Sequence, residues 1–77
     1  MEYMYLKMVV KFDVNGFARP VFFMWDGEKQ FIDRVKYMTR VYVAKSWYES
    51  DIICYLCMVK GEELKLYLHS GRWYMTA

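Results

Sequence analysis

Hydrophobic and polar residues alternate along most of this chain with a period of two. From Tyr3 to Val14, Met4, Leu6, Met8, Val10 and Phe12 fall on one side, and Tyr3, Tyr5, Lys7, Val9 and Lys11 on the other. Successive side chains of a strand point to opposite faces, so this run predicts a half-buried strand. Leu64, Leu66 and Leu68 repeat the pattern near the other end. Pro20 to Trp25 is apolar on both sides and predicts a central strand, with the proline at its start, where a missing N–H is tolerated. Phe31 to Ala44 sets Phe31, Val35, Tyr37, Val41 and Val43 against Ile32, Arg34, Lys36, Arg40 and Tyr42. A run of that length is expected to bend or bulge, near Met38-Thr39. A helix over Lys29 to Ala44 is the alternative, but Val, Tyr, Thr and Ile dominate there and favour a strand. Ile52 to Lys60, Leu64 to His69 and Arg72 to Met75 complete the set.

Turn chemistry separates these runs. Asn15-Gly16 and Asp26-Gly27 are hairpin dipeptides whose residues tolerate positive φ. Gly61 and Ser70-Gly71 mark two more turns, and Ala44 to Asp51 is the longest connection. The expected fold is therefore all-β: one domain over residues 1–77, a small antiparallel meander of five to six strands. A sheet this short and twisted removes its edges by curling, so an SH3-like barrel or half-barrel is expected.

Composition changes the picture in one respect. Of the 77 residues, 57% are hydrophobic and 21% aromatic. A chain of this length buries only roughly 60% of the surface its unfolded form exposes. Its interior cannot hold all that apolar material, so aromatic rings must face outward or lie under a partner. The net charge of +2, from 11 basic and 9 acidic residues, permits nucleic-acid binding without demanding it. Glu2 and Lys7 interrupt the N-terminal apolar run, so no signal peptide is expected. The longest uncharged stretch, Ile52 to Val59, is too short to span a bilayer, and a cytoplasmic location is expected.

Candidate chemistry is sparse. Cys54 and Cys57 have C-x-x-C spacing, but zinc needs four ligands and only His69 could assist. Thiols three apart on a strand also point to opposite faces, so buried structural cysteines are expected. His69 has no nucleophile motif beside it, and the four isolated glycines suit turns better than phosphate. Most acids flank turns; Asp33, between Phe31 and Val35, is better read as a paired or strand-end carboxylate than a catalytic one. No enzyme activity, cofactor or metal is expected.

Two patterns remain. Tyr3, Tyr5, Lys7 and Lys11 share a side, as do Arg34, Lys36, Arg40 and Tyr42, while Lys65, Tyr67 and His69 form a third stripe. Cations interleaved with rings suit single-stranded nucleic acid, because bases stack on the rings and cations meet phosphates. Lys7, Arg34, Lys36, Arg40 and Tyr42 are the candidate contacts. An ordinary solvated sheet face would look similar, and that reading has the greater weight. The second pattern is Ser46-Trp47-Tyr48-Glu49-Ser50, two large aromatics in a connection, which either cap the fold or anchor a partner.

The order Pro20, Phe23, Trp25-Asp26-Gly27, Phe31-Ile32-Asp33-Arg34-Val35, Tyr55, Cys57, Gly61, Leu66 and Arg72-Trp73-Tyr74 resembles a family of short bacterial proteins of unassigned function, found mostly in Firmicutes. The sharpest part is W-D-G followed by I-D-R-V. The resemblance implies a compact β fold and carries over no catalytic residue. Ser46 to Ser50 departs from the glycine-rich connection of that family. The leading expectation is a non-catalytic protein-interaction module, self-associating or bound to a protein partner through Trp47, Tyr48, Tyr3 and Tyr5. The alternative is a small barrel that binds single-stranded nucleic acid. Neither involves a membrane.

Overall fold

The computed structural model describes residues 3–45 and 48–76, with side chains excepted over 42–51. Eight strands follow one another: β1 (Tyr3–Leu6), β2 (Met8–Phe12), β3 (Ala18–Trp25), β4 (Glu28–Phe31), β5 (Arg34–Lys45), β6 (Tyr48–Val59), β7 (Glu62–His69) and β8 (Arg72–Thr76). They form two antiparallel sheets, one of five strands in the order β1-β8-β7-β6-β5 and one of three in the order β2-β3-β4. Among the described residues, no helix is long and apolar enough to cross a membrane.

The count exceeds the expected five to six for two reasons: one alternating run changes sheets partway, and a short strand, β4, that the alternation does not predict precedes another run. Tyr3 to Phe12 is one alternating run, yet β1 pairs with β8 while β2 pairs with β3. Lys7 sits at the switch, and its carbonyl accepts the Met24 amide at 3.1 Å. The extra strand, β4, ends at Phe31, where the expected run from Phe31 to Ala44 begins, and the chain then changes sheets into β5. β4 pairs with β3 and β5 with β6. At the switch Ile32 N donates to Val21 O and Asp33 N to Met58 O, at 2.9 and 2.8 Å, so adjacent amides reach opposite sheets. Asp33 itself is an exposed residue at this crossing.

Three hairpins turn through two residues, both at positive φ: Asp26-Gly27, Lys60-Gly61 and Ser70-Gly71. This is the geometry whose twist matches that of the flanking strands. The chain also turns from β2 into β3 at Asn15-Gly16, as expected. The hairpin there has a longer loop, with β2 ending at Phe12 and β3 starting at Ala18. Asp13 organises it: its carboxylate accepts the Asn15 and Phe17 amides at 2.9 and 3.0 Å. The Phe17 amide, above all, holds that carboxyl below its ordinary pKa. The Ala44–Asp51 connection is also shorter than expected. β5 runs to Lys45 and β6 begins at Tyr48, because their backbones keep pairing to the end, Lys45 against Tyr48.

Pro20 is the third residue of β3, and the β2–β3 register slips opposite it, between Val9 and Val10. Such a slip accommodates a residue that cannot donate to the ladder. The irregularity in β5 lies between Val35 and Tyr37, earlier than Met38-Thr39.

The core lies between the sheets. Phe23, from the three-stranded sheet, meets Tyr55, Cys57, Val59, Leu66 and Trp73 from the other. Leu6, Met8, Val10, Ile32, Val35, Leu64, Leu68 and Met75 pack around them, so the alternation in the first run and in Leu64-Leu66-Leu68 does mark the buried side. The Tyr55 hydroxyl donates to Ala18 O at 2.7 Å and joins the two sheets.

Candidate binding faces

Residues paired across antiparallel strands share a face, so the register fixes what stands on the outside of each sheet. On the five-stranded sheet, Tyr5 pairs with Tyr74, Tyr74 with Tyr67, Tyr67 with Cys54 and Cys54 with Thr39. Three strands thus contribute a tyrosine to one row, and Tyr3 stands beside it. Ring centroids lie 4.6 Å apart for Tyr3 and Tyr74, 5.2 Å for Tyr67 and Tyr74, and 6.0 Å for Tyr5 and Tyr74. The Tyr67 and Tyr74 planes are within 15° of parallel. Tyr74 is only 5% exposed under these neighbours, whereas Tyr3 and Tyr5 are 55% and 56% exposed. Desolvation, then the adjacent tyrosines, push the Tyr74 hydroxyl pKa above its ordinary value. The row is therefore a built cluster with two open rings.

Cations border it. The Arg72 guanidinium lies 4.6 Å from the centre of the Tyr5 ring. Lys65 stands two residues before Tyr67, on the same face. Arg34, paired with Met58, is also outward. Lys36 occupies the bulge and donates to Glu63 at 2.6 Å, a bond that holds the Glu63 carboxyl below its ordinary pKa. Glu63 is the one acid that the register places on this face among the residues with described side chains, and Lys36 neutralises it. The other described acids, Asp13, Asp26, Glu28, Asp33 and Glu62, lie in turns or at element ends.

The outer face of the three-stranded sheet repeats the theme on a smaller scale. Val9, Phe22 and Phe31 stand opposite one another across three strands. The Phe22 and Phe31 centroids are 5.3 Å apart, and the Lys29 ammonium lies 4.9 Å from the Phe22 ring centre. Lys11 and Arg19 are paired beside them. Arg19 also approaches the Asp13 carboxylate at 3.4 Å.

The structure brings together only part of what the sequence nominates. Tyr3 and Tyr5 stand in the tyrosine cluster, and Lys7 is exposed at the switch between sheets. Arg34 and Lys36 share the outer face, but Arg40 does not. The bulge inserts one residue after Val35, so Arg40 pairs with Ile53 and turns to the opposite side, which corrects the expected four-residue stripe. Trp47 lies outside the described residues. Tyr42 and Tyr48 are strand residues in their backbones, and their side chains lie outside the description. Ser46 to Ser50 is accordingly not one long loop: Tyr48, Glu49 and Ser50 belong to β6. Sequence reasoning missed Arg72, Tyr74, Phe22, Phe31 and Lys29 as members of these faces, because strand order brings them together.

Cys54 and Cys57 are free and buried, on opposite sides of β6 by register. Desolvation pushes the Cys57 thiol up to about 11. No group of three metal-ligating side chains occurs among the described residues. An open groove of about 440 Å³ at one end of the core is lined by Phe23, Trp25, Val59, Leu64 and Met75, with Lys60, Glu62 and Glu63 at its rim. No protein-family model matches the chain, nor does any curated protein or solved structure.

Proposed function

We propose that this chain is a non-catalytic binding module that works through the outer faces of its sheets, and that its best-fitting ligand is single-stranded nucleic acid. One observation carries the reading. Open tyrosine rings and cations stand on one face, with Arg72 against Tyr5, while Glu63, the acid of that face among the described side chains, is already bonded to Lys36. Bases stack on rings with little regard to sequence, and cations meet the backbone phosphates. The three-stranded face adds Phe22, Phe31 and Lys29 in the same combination. Fluorescence polarisation with a labelled oligothymidylate tests it. Binding should weaken steeply as salt rises, as counterion release requires. Tyr5→Ala and Arg72→Glu should each reduce it at constant fold. An affinity indifferent to salt would reject the reading.

A curled, half-barrel arrangement of the two sheets fits this role. What supports it is the pair of sheet-switching strands, at Lys7 and at Ile32-Asp33, with the Tyr55–Ala18 hydrogen bond between the sheets.

A second reading, self-association or a protein partner, draws on the loop from Asp13 to Phe17. Phe12, at the end of β2, and Val14 and Phe17, within the loop, are all exposed, and such apolar patches favour contact with another surface. Static light scattering separates the two. A dimer mass that falls to a monomer in Phe12→Ser with Val14→Ser would favour association.

A further inference from the structure

We infer that the two sheets offer one strand of nucleic acid two stacking platforms in succession, joined along the exposed side of β1 and β2. This deepens the single-stranded nucleic-acid reading and rests on it. The first platform is Tyr3, Tyr5 and Tyr67 with Arg72; the second is Phe22 and Phe31 with Lys29. Each sets touching rings under a cation: Tyr3, Tyr5 and Tyr67 gather around Tyr74 with Arg72 over Tyr5, and Phe22 meets Phe31 with Lys29 over Phe22. Phe31 is as open as the tyrosines, at 56%.

The link between them is a property of the backbone. Tyr3, Tyr5, Lys7, Val9 and Lys11 alternate outward without interruption, although the chain changes sheets at Lys7. Tyr5 belongs to the first platform by its pairing with Tyr74, and Val9 to the second by its pairing with Phe22. Four residue steps separate Tyr5 from Val9, about 13 Å at the usual rise. Lys7 stands at the midpoint, exposed, where a phosphate passing from one platform to the other would need a counter-charge. Lys11 and Arg19 continue the positive border beyond Val9. A duplex cannot use such a surface, since its bases are stacked on one another; a flexible single strand can. Charge complementarity and open π faces select this occupant over a second copy of the chain, whose faces would carry the same positive charge.

The test compares two oligothymidylates, of about 5 and about 15 nucleotides, the range covered by single-domain strand binders. Wild-type protein should bind the longer one more tightly than the added number of registers explains. Phe31→Ala should remove that gain, by about fivefold or more as expected for one lost stacking surface, and leave the short oligonucleotide bound at the tyrosine platform. Lys7→Glu should have the same length-selective effect. Circular dichroism verifies that both variants keep the fold, and because Phe31 and Lys7 are exposed, both should. If the wild type binds both lengths but Phe31→Ala and Lys7→Glu leave the length dependence unchanged, the two-platform arrangement is wrong and the single tyrosine platform stands. If the wild type binds neither at low salt, the nucleic-acid reading and this inference fall together.

Discussion

Replacing Tyr55 with phenylalanine removes one oxygen and nothing else. Its ring is 1% exposed and packs against Trp73, with centroids 4.9 Å apart, so the apolar contacts survive. What disappears is the 2.7 Å bond to Ala18 O, which spans 37 residues and joins the two sheets. A net intramolecular hydrogen bond is worth about 0.5–1.5 kcal/mol, and a stranded buried acceptor costs about 1–3. Ala18 is half-buried, so water relieves part of that second cost, and the sum is about 1–2 kcal/mol. For a domain of this size each kcal/mol moves Tm by roughly 4–8 °C, which predicts a fall of about 5–15 °C. That is a substantial share of a total stability of roughly 4–12 kcal/mol. Thermal and urea unfolding measure it, with Tyr37→Phe at an exposed position as the comparison, where a change within about 0.5 kcal/mol is expected. If Tyr55→Phe unfolds within error of the wild type, the phenol bond contributes nothing and the account of how the sheets are joined is mistaken.

Two further outcomes follow from the turns and the thiols. Lys60 has φ of 52° in a two-residue turn, a conformation that asparagine accepts more readily, so Lys60→Asn should stabilise the protein by about 0.5–1 kcal/mol; a lower Tm would contradict that turn geometry. The Cys57 thiol, raised from 9.0 to about 11, binds its proton more tightly folded than unfolded. Stability is therefore fully present below pH 9 and declines as pH rises towards 11, and a urea midpoint flat across that window, relative to Cys57→Ala, would refute the assignment.

Local signals were legible wherever one strand's own alternation settled the matter. Leu64, Leu66 and Leu68 read correctly because period two says which side is buried, whoever the neighbour is. The Asp26-Gly27 turn read correctly because positive φ is a property of those two residues. Failures arose where a distant strand decided. Nothing near Lys7 states that the partner changes there from β8 to β3. At Asn15-Gly16 the expected hairpin does turn, in a loop that Asp13, two residues away, widens by offering its carboxylate to two amides. Lys36 became the bulge, and one inserted residue sent Arg40 to the other face. The tyrosine cluster was half visible: Tyr3, Tyr5 and Tyr67 were seen as outward rings, while Tyr74 needed the knowledge that β8 lies between β1 and β7.

The same placement of β8 fixes the order in which the chain can assemble. Tyr3 pairs with Thr76, so β1 meets its partner only across almost the whole length described. The hairpins at Asp26-Gly27, Lys60-Gly61 and Ser70-Gly71 close loops of two residues and can form as soon as their strands exist. The β1–β8 ladder must instead wait for every intervening segment, because closing so long a loop early costs entropy that few contacts then offset. The first strand should accordingly dock late, after the rate-limiting step of folding. Substitutions at Met4 or Met75, which face each other in that ladder, should hasten unfolding far more than they slow folding.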